Sequence, residues 1–200
     1  MVQIDEERKI KSKYIIISVM GPHAGESSEE IFSRKIADVE KTGKTFWVIN
    51  SYKSSPPIIN EIKQSALKEN ENVYCVFIEA STKKGARPTT ESKKATEYSE
   101  DKQIWKSFDK KISPVTGNIR KNSYAMVFDE LSIIESKSKF NLWDYGDFDK
   151  QTEPILPKLG VSTWCGIKKN MSNHPDKIKS NLRKIMAVAK LRDIGSVWLR

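Results

Sequence analysis

The chain has 200 residues and a mass of 22.9 kDa, room for one domain with a sizeable core or two small ones, but not for a multidomain machine. Hydrophobic residues make up 38% and charged residues 30%, and no apolar run approaches the roughly 18 residues that would span a bilayer, so a soluble globular chain with no membrane partner is expected. Net charge is +9, and the opening octet from Met1 to Arg8 has no apolar stretch of the kind a secretory leader needs.

Tyr14 to Met20 is a continuous β-branched run, too short for a helix, and reads as a buried strand. Gly21 to Glu26 breaks it. Ser27 followed by Glu30 is a capping box, in which the hydroxyl and the carboxylate each satisfy a free backbone N–H. The helix it opens carries Ile31, Phe32, Ile36 and Val39 on one face and stops near Gly43. Thr45 to Asn50 is a second strand. Ser55-Pro56-Pro57 opens a second helix, with Ile58, Ile59, Ile62, Ala66 and Leu67 as its apolar face. Val73 to Ile78 is a third strand.

Strand, helix, strand, helix, strand over 14–80 predicts a βαβαβ parallel unit. Ala80 to Lys121 is mostly polar and reads as a long loop region, with a short helix near residues 101–109. Order resumes with a strand at Ser123 to Phe128, continued or followed by Leu131 to Ile134. A short strand follows at Phe140 to Trp143, and another at Val161 to Ile167. Pro175 then starts an amphipathic helix through Ile178, Leu182, Ile185, Met186 and Ala189, with Val197 to Leu199 as a last edge strand. The expected class is α/β (or α+β), one domain over residues 1–200. It comprises the βαβαβ half at 14–80, the polar region at 81–121 and a β-rich half plus basic helix at 122–200.

The positive charge is not evenly spread. Ten basic residues stand against two acidic ones between Lys158 and Arg200, a local excess of +8. Clustering on that scale is the electrostatic footprint of a nucleic-acid binder. On a helix, Lys179, Arg183 and Lys190 share one flank, while Lys177, Lys184 and Arg192 share the other.

Metal chemistry is poorly served. Asp129 with Glu135-Ser136-Lys137 matches a nuclease spacing, but six residues along an extended strand separate the carboxylates by about 20 Å, too far to share a magnesium ion. Asp144, Asp147 and Asp149 lack the calcium-loop pattern and read as a solvated acidic turn. His174 precedes a proline at a helix start and suits a capping or surface role. Cys75 and Cys165 sit in apolar strands and are expected buried, reduced and inert, in keeping with a cytoplasmic protein. Trp47, Trp164 and Trp198 lie in strand-like runs and read as core, whereas Trp105 and Trp143 border polar segments and suit base stacking. Phe46-Trp47-Val48-Ile49-Asn50-Ser51-Tyr52 is similar to the opening strand of YTH and related PUA-type nucleic-acid-binding modules, with no matching aromatic cage downstream.

Three functions are compatible with these patterns. The leading one is binding of DNA or RNA through phosphate contacts from the C-terminal helix (Lys179, Arg183, Lys184, Lys190), extended by Lys83, Lys84 and Arg87, with Trp105 stacking. The alternative is a small-nucleotide-binding enzyme or sensor using the strand-end loops at 21–28, 50–55 and 79–87. There Gly21, Gly25, Ser27 and Lys53 would hold phosphate, and His23 or Glu79 would serve as acid–base groups. The third is docking of an acidic protein on the basic helix. None of the three calls for a resident cofactor or metal.

Overall fold

A computed structural model describes residues 9–21, 27–49, 55–80, 123–134, 139–150, 163–169 and 182–199. Within them the chain runs β1 (Tyr14–Met20), α1 (Ser28–Thr42), β2 (Thr45–Ile49), α2 (Pro56–Lys68), β3 (Val73–Glu79), β4 (Ser123–Ile133) and β5 (Lys139–Asn141). A single 3-10 turn (Leu142–Asp144), β6 (Tyr145–Asp147), β7 (Thr163–Lys168) and β8 (Leu182–Leu199) follow. The eight strands form one mixed sheet in the order β2-β4-β8-β3-β1-β7-β6, with β5 paired to β8. Strands from the two halves of the sequence are thus interleaved in the same sheet.

Helix boundaries follow the local chemistry. The Ser27 hydroxyl accepts from the Glu30 N–H at 3.2 Å, and the Glu30 carboxylate accepts from the Ser27 N–H at 2.7 Å, so the predicted capping box is present. Gly43 ends α1 in the left-handed region at φ 74°, its N–H donating to the Val39 carbonyl at 2.7 Å. Prolines 56 and 57 begin α2 where no intrahelical donor is lost. Leu67, expected on the buried face of α2, is instead 47% exposed at its last turn.

Both helices pack on one face of the sheet. Phe32, Ile59, Ile62 and Ala66 join Ile16, Cys75, Phe77, Met126 and Phe128 in one core. The alternate residues Ile15, Ile17, Val76, Ile78, Ile185 and Val188 point to the other face, which Phe140, Leu142, Tyr145 and Ile10 cover. Phe77 centres an aromatic cluster with Phe32 (5.2 Å), Trp47 (4.6 Å) and Phe128 (6.0 Å). The 4%-exposed Trp164 is a core residue, as its strand setting suggested, while Trp47 is partly buried and packs against the helix-side core.

Two expectations are overturned. First, β1 and β3 are adjacent and parallel, but β2 is not between or beside them. It pairs antiparallel with β4 at the far edge, and because β3 and β4 are both antiparallel to β8, it runs against β1 and β3. The order of elements is that of a βαβαβ unit, but the pairing is not. Second, residues 182–199 form no helix: they are the longest strand, β8, hydrogen-bonded to β3, β4 and β5. Residues 175–181 of the expected helix lie outside the described residues, as does the expected helix near 101–109. Val197 to Leu199 belong to the same β8, opposite Ser123 to Ala125. The predicted Phe140 to Trp143 strand is shorter, passing into the 3-10 turn at Leu142.

β8 is irregular next to the point where β3 joins it opposite β4. Between Met126↔Ser196 and Phe128↔Leu191, two residues of advance on β4 match five on β8, so Arg192 to Gly195 leave the ladder. At that break the buried Lys63 of α2 donates its ammonium to the Leu191 carbonyl at 3.2 Å, satisfying a group beside the gap.

Gly43 gives the first prediction. A methyl there would meet nothing within 4 Å, so any penalty comes from the backbone angle alone. Gly43→Ala should lower stability by about 1 kcal/mol, read as a shift of the urea midpoint with unchanged slope.

Candidate nucleic-acid interface

The candidate surface is built where β5 meets the start of β8. Phe140, 2% exposed, stacks on Tyr145 with ring centroids 5.2 Å apart and planes 16° from parallel. The Tyr145 hydroxyl is shared between the carbonyls of Ile10 at 3.1 Å and Ser12 at 3.0 Å, and burial pushes its pKa up, so it remains a donor. Asn141 fixes the exit from β5: its Oδ1 accepts from the Trp143 N–H and its Nδ2 donates to Asp144 Oδ1, each at 3.1 Å.

With β5 anchored in this way, the ladder places Lys139 opposite Lys184, Phe140 opposite Arg183 and Asn141 opposite Leu182. Lys139 and Lys184 are exposed and Arg183 is half-buried. No ion pair joins any of the three to an acid among the described residues. Successive strand residues point to opposite sides, so Arg183 and Lys184 face different ways, whereas the directly opposed Lys139 and Lys184 share one side.

Lys190 is placed differently. It lies seven residues from Arg183, about 23 Å along an extended strand, so the two do not share a flank as a helix would require. The ladder puts Lys190 between Tyr74 and Glu130. Its ammonium is 3.3 Å from Glu130 Oε1, and Lys9 takes the other oxygen at 3.1 Å. Partial burial pushes the Glu130 carboxyl up, but the hydrogen bonds and charges of Lys9 and Lys190 outweigh it and hold the pKa below the ordinary 4.5. Burial opposes charge on Lys190 as well, yet Asp129 and Glu130 together raise its pKa. Its positive charge is spent within the fold.

The ends of β1, β2 and β3 do not come together as a parallel unit would make them. Met20 and Glu79, the ends of β1 and β3, are register partners, and Ala80 N–H donates to the Met20 carbonyl at 2.9 Å. Ile49, at the end of β2, pairs with Tyr124, while Ile133 lies level with Phe77 through their common partner Ala187. Nine residues of β4, about 30 Å, therefore separate the end of β2 from the ends of the other two strands. Glu79 is exposed. Ser27 and Glu30 are committed to each other in the capping box, which sets a carboxylate against the free N–H of that helix start. A Cβ at Gly21 would make an ordinary 3.6 Å contact with Ala80, so nothing there demands glycine. His23, Gly25, Lys53, Lys83, Lys84, Arg87, Trp105 and Lys179 lie outside the described residues.

Of the remaining candidates, Cys75 and Cys165 flank Ile16 from β3 and β7, are buried and free, and are held as thiols because burial raises both pKa values. The acidic turn differs from expectation in that Asp147 is buried. Its Oδ1 accepts from the N–H groups of Asp149 and Lys150 at 3.0 and 3.3 Å, closing the turn. Among the described residues no three metal-ligating side chains gather, and no helix is long and apolar enough to cross a membrane. Lys139 was missed because its partner strand was read as a helix; the short apolar run beginning at Phe140 was the available signal.

The Glu130 bridge predicts an acid-side dependence. A carboxyl whose folded pKa is depressed stabilises the fold above its unfolded value and loses that contribution as pH falls through the folded one. Stability of the wild type should therefore decline more steeply below pH 4.5 than that of Glu130→Gln, as measured by urea unfolding across pH 3–6. Comparison of the chain with protein-family models, with curated proteins and with solved structures finds no match.

Proposed function

We propose that this chain binds the phosphate backbone of DNA or RNA through the basic ribbon formed by β5 and the start of β8. The carrying observation is that Lys139, Arg183 and Lys184 occupy one stretch of the β5–β8 ladder, the two lysines on one side and Arg183 on the other, without an acidic partner among the described residues, whereas Lys190, Lys9, Lys13 and Lys35 each have one. In a chain of net charge +9, with most of the excess after Lys158, cations left unneutralised at one place favour a polyanion. Contacts of this kind go to phosphate oxygens, so they position the ligand without reading its sequence. No catalytic step follows from these residues, and none is assigned.

Fluorescence anisotropy with a labelled 20-base-pair DNA duplex tests the proposal. Affinity should fall steeply between 50 and 200 mM salt. Reversing two charges with Arg183→Glu and Lys184→Glu together should weaken binding at least about tenfold and flatten the salt slope, whereas Lys190→Gln should leave it nearly unchanged. Salt-insensitive binding, or equal loss from all three positions, would count against the ribbon.

A further inference from the structure

We infer that Lys139 and Lys184 form a single phosphate subsite, bracketing one backbone phosphate between two ammonium groups. The inference rests on the nucleic-acid reading above and adds both a residue and a stoichiometry to it. Directly opposed residues of an antiparallel pair hold their Cβ atoms about 4.5–5.5 Å apart on one side of the ladder. Two flexible lysine stems rooted that close can bring both ammonium groups to the same phosphate, each supplying donors to a different oxygen.

The arrangement is unfavourable by itself. Like charges placed directly opposite each other destabilise a strand pair, and β5 is only three residues long, with few other ladder bonds to offset the repulsion. Elsewhere the fold handles such crowding with an acid: Glu130 sits between Lys9 and Lys190 and takes one on each oxygen. The Lys139–Lys184 pair likewise sets two cations from neighbouring segments side by side, and among the described residues no acid is paired with either. A phosphate oxyanion supplies what Glu130 supplies there. Arg183 lies outside this subsite because its side chain leaves β8 on the opposite side, across from Phe140.

Two measurements on the full chain decide it. In the first, duplex DNA binding is titrated for wild type, Lys139→Ala, Lys184→Ala and the double variant, with Lys41→Ala as a surface-charge control on α1. One shared phosphate predicts that each single change weakens binding about three- to tenfold, that the double variant is little worse than either, and that the pair together contributes about 0.9 to the log–log salt slope. Full multiplication of the two losses with a slope change near 1.8 would mean two separate phosphates and overturn the subsite, as would no loss at Lys139. If the wild type itself does not bind the duplex at 50 mM salt, the nucleic-acid reading fails and the subsite with it. In the second, without ligand, Lys184→Gln should raise the melting temperature by about 1 °C in 10 mM salt, and the gain should vanish in 0.5 M salt. A fall at low salt would show that the lysines are not repelling each other and would overturn the proposal without reference to DNA.

Discussion

The fold depends on β8 being buried on both sides. It runs through the centre of the sheet, between β3 and β4, and its residues Ile185 to Ala189 are each at most 9% exposed. Such a strand must be apolar at every position, unlike a strand with one wet face. The two sides still have different requirements. Ile185 and Val188 fill the core under Phe140 and Tyr145, whereas Ala187 and Ala189 face the helices. Those alanines lie opposite Phe77 and Cys75, and their small size leaves the volume that Phe77, Phe32 and Trp47 occupy. The break in alternation between Phe77↔Ala187 and Ile78↔Ile185 leaves Met186 as an extra residue in the same core as Ala187, so Ile185 and Val188 both remain in the other core.

That double burial explains where the sequence was legible and where it was not. The elements from Tyr14 to Glu79 have distinct periods and explicit punctuation: a capping box at Ser27, a left-handed glycine at Gly43 and prolines at the start of α2. Local chemistry determines them, and the residues read off within a position or two. In Leu182 to Leu191, by contrast, Leu182, Ile185, Met186 and Ala189 fit a helical stripe, but Ala187, Val188 and Leu191 are apolar too. A continuous run of that kind fits a buried strand equally well. Alanine, methionine and lysine favour a helix when nothing else decides; here pairing to three strands decides. The site of β2 was illegible for another reason. Its residues specify a strand, but only β4, more than seventy residues later, specifies its neighbour.

Burial obliges a cation to take a partner, although exposure does not forbid one, as the Lys13–Glu69 pair shows. Lys35, 5% exposed, has Asp38 at 3.8 Å and the Phe46 ring at 4.3 Å, and the buried Lys63 has the Leu191 carbonyl. An ammonium taken out of water needs such partners, since an unpaired buried charge is costly. Lys190, half-buried in the ladder, has Glu130. Water relieves that demand at the exposed start of β8, and there Lys139 and Lys184 have no acid paired to them among the described residues. Net charge alone therefore says little about this protein. What distinguishes Lys184 from Lys190 is six residues of strand, enough to move from a half-buried site paired with Glu130 to an exposed end with no acidic partner among the described residues.

The change from helix to strand also alters what such residues can do. A basic helix gathers cations three and four apart onto one flank from a single segment. A strand sends successive residues to opposite sides, so Arg183 and Lys184 cannot combine on one ligand atom by themselves. Residues two apart do share a side, but for Lys184 these are Leu182 and Met186, so positive charge beside it is doubled by a neighbour across the ladder. For Lys184 that neighbour is Lys139, brought in from 45 positions earlier and held in register by the stacked Phe140 and Tyr145. The local charge of the surface is thus set by the packing beneath it. Loosening the Phe140 anchor would disperse the doublet even with every lysine retained.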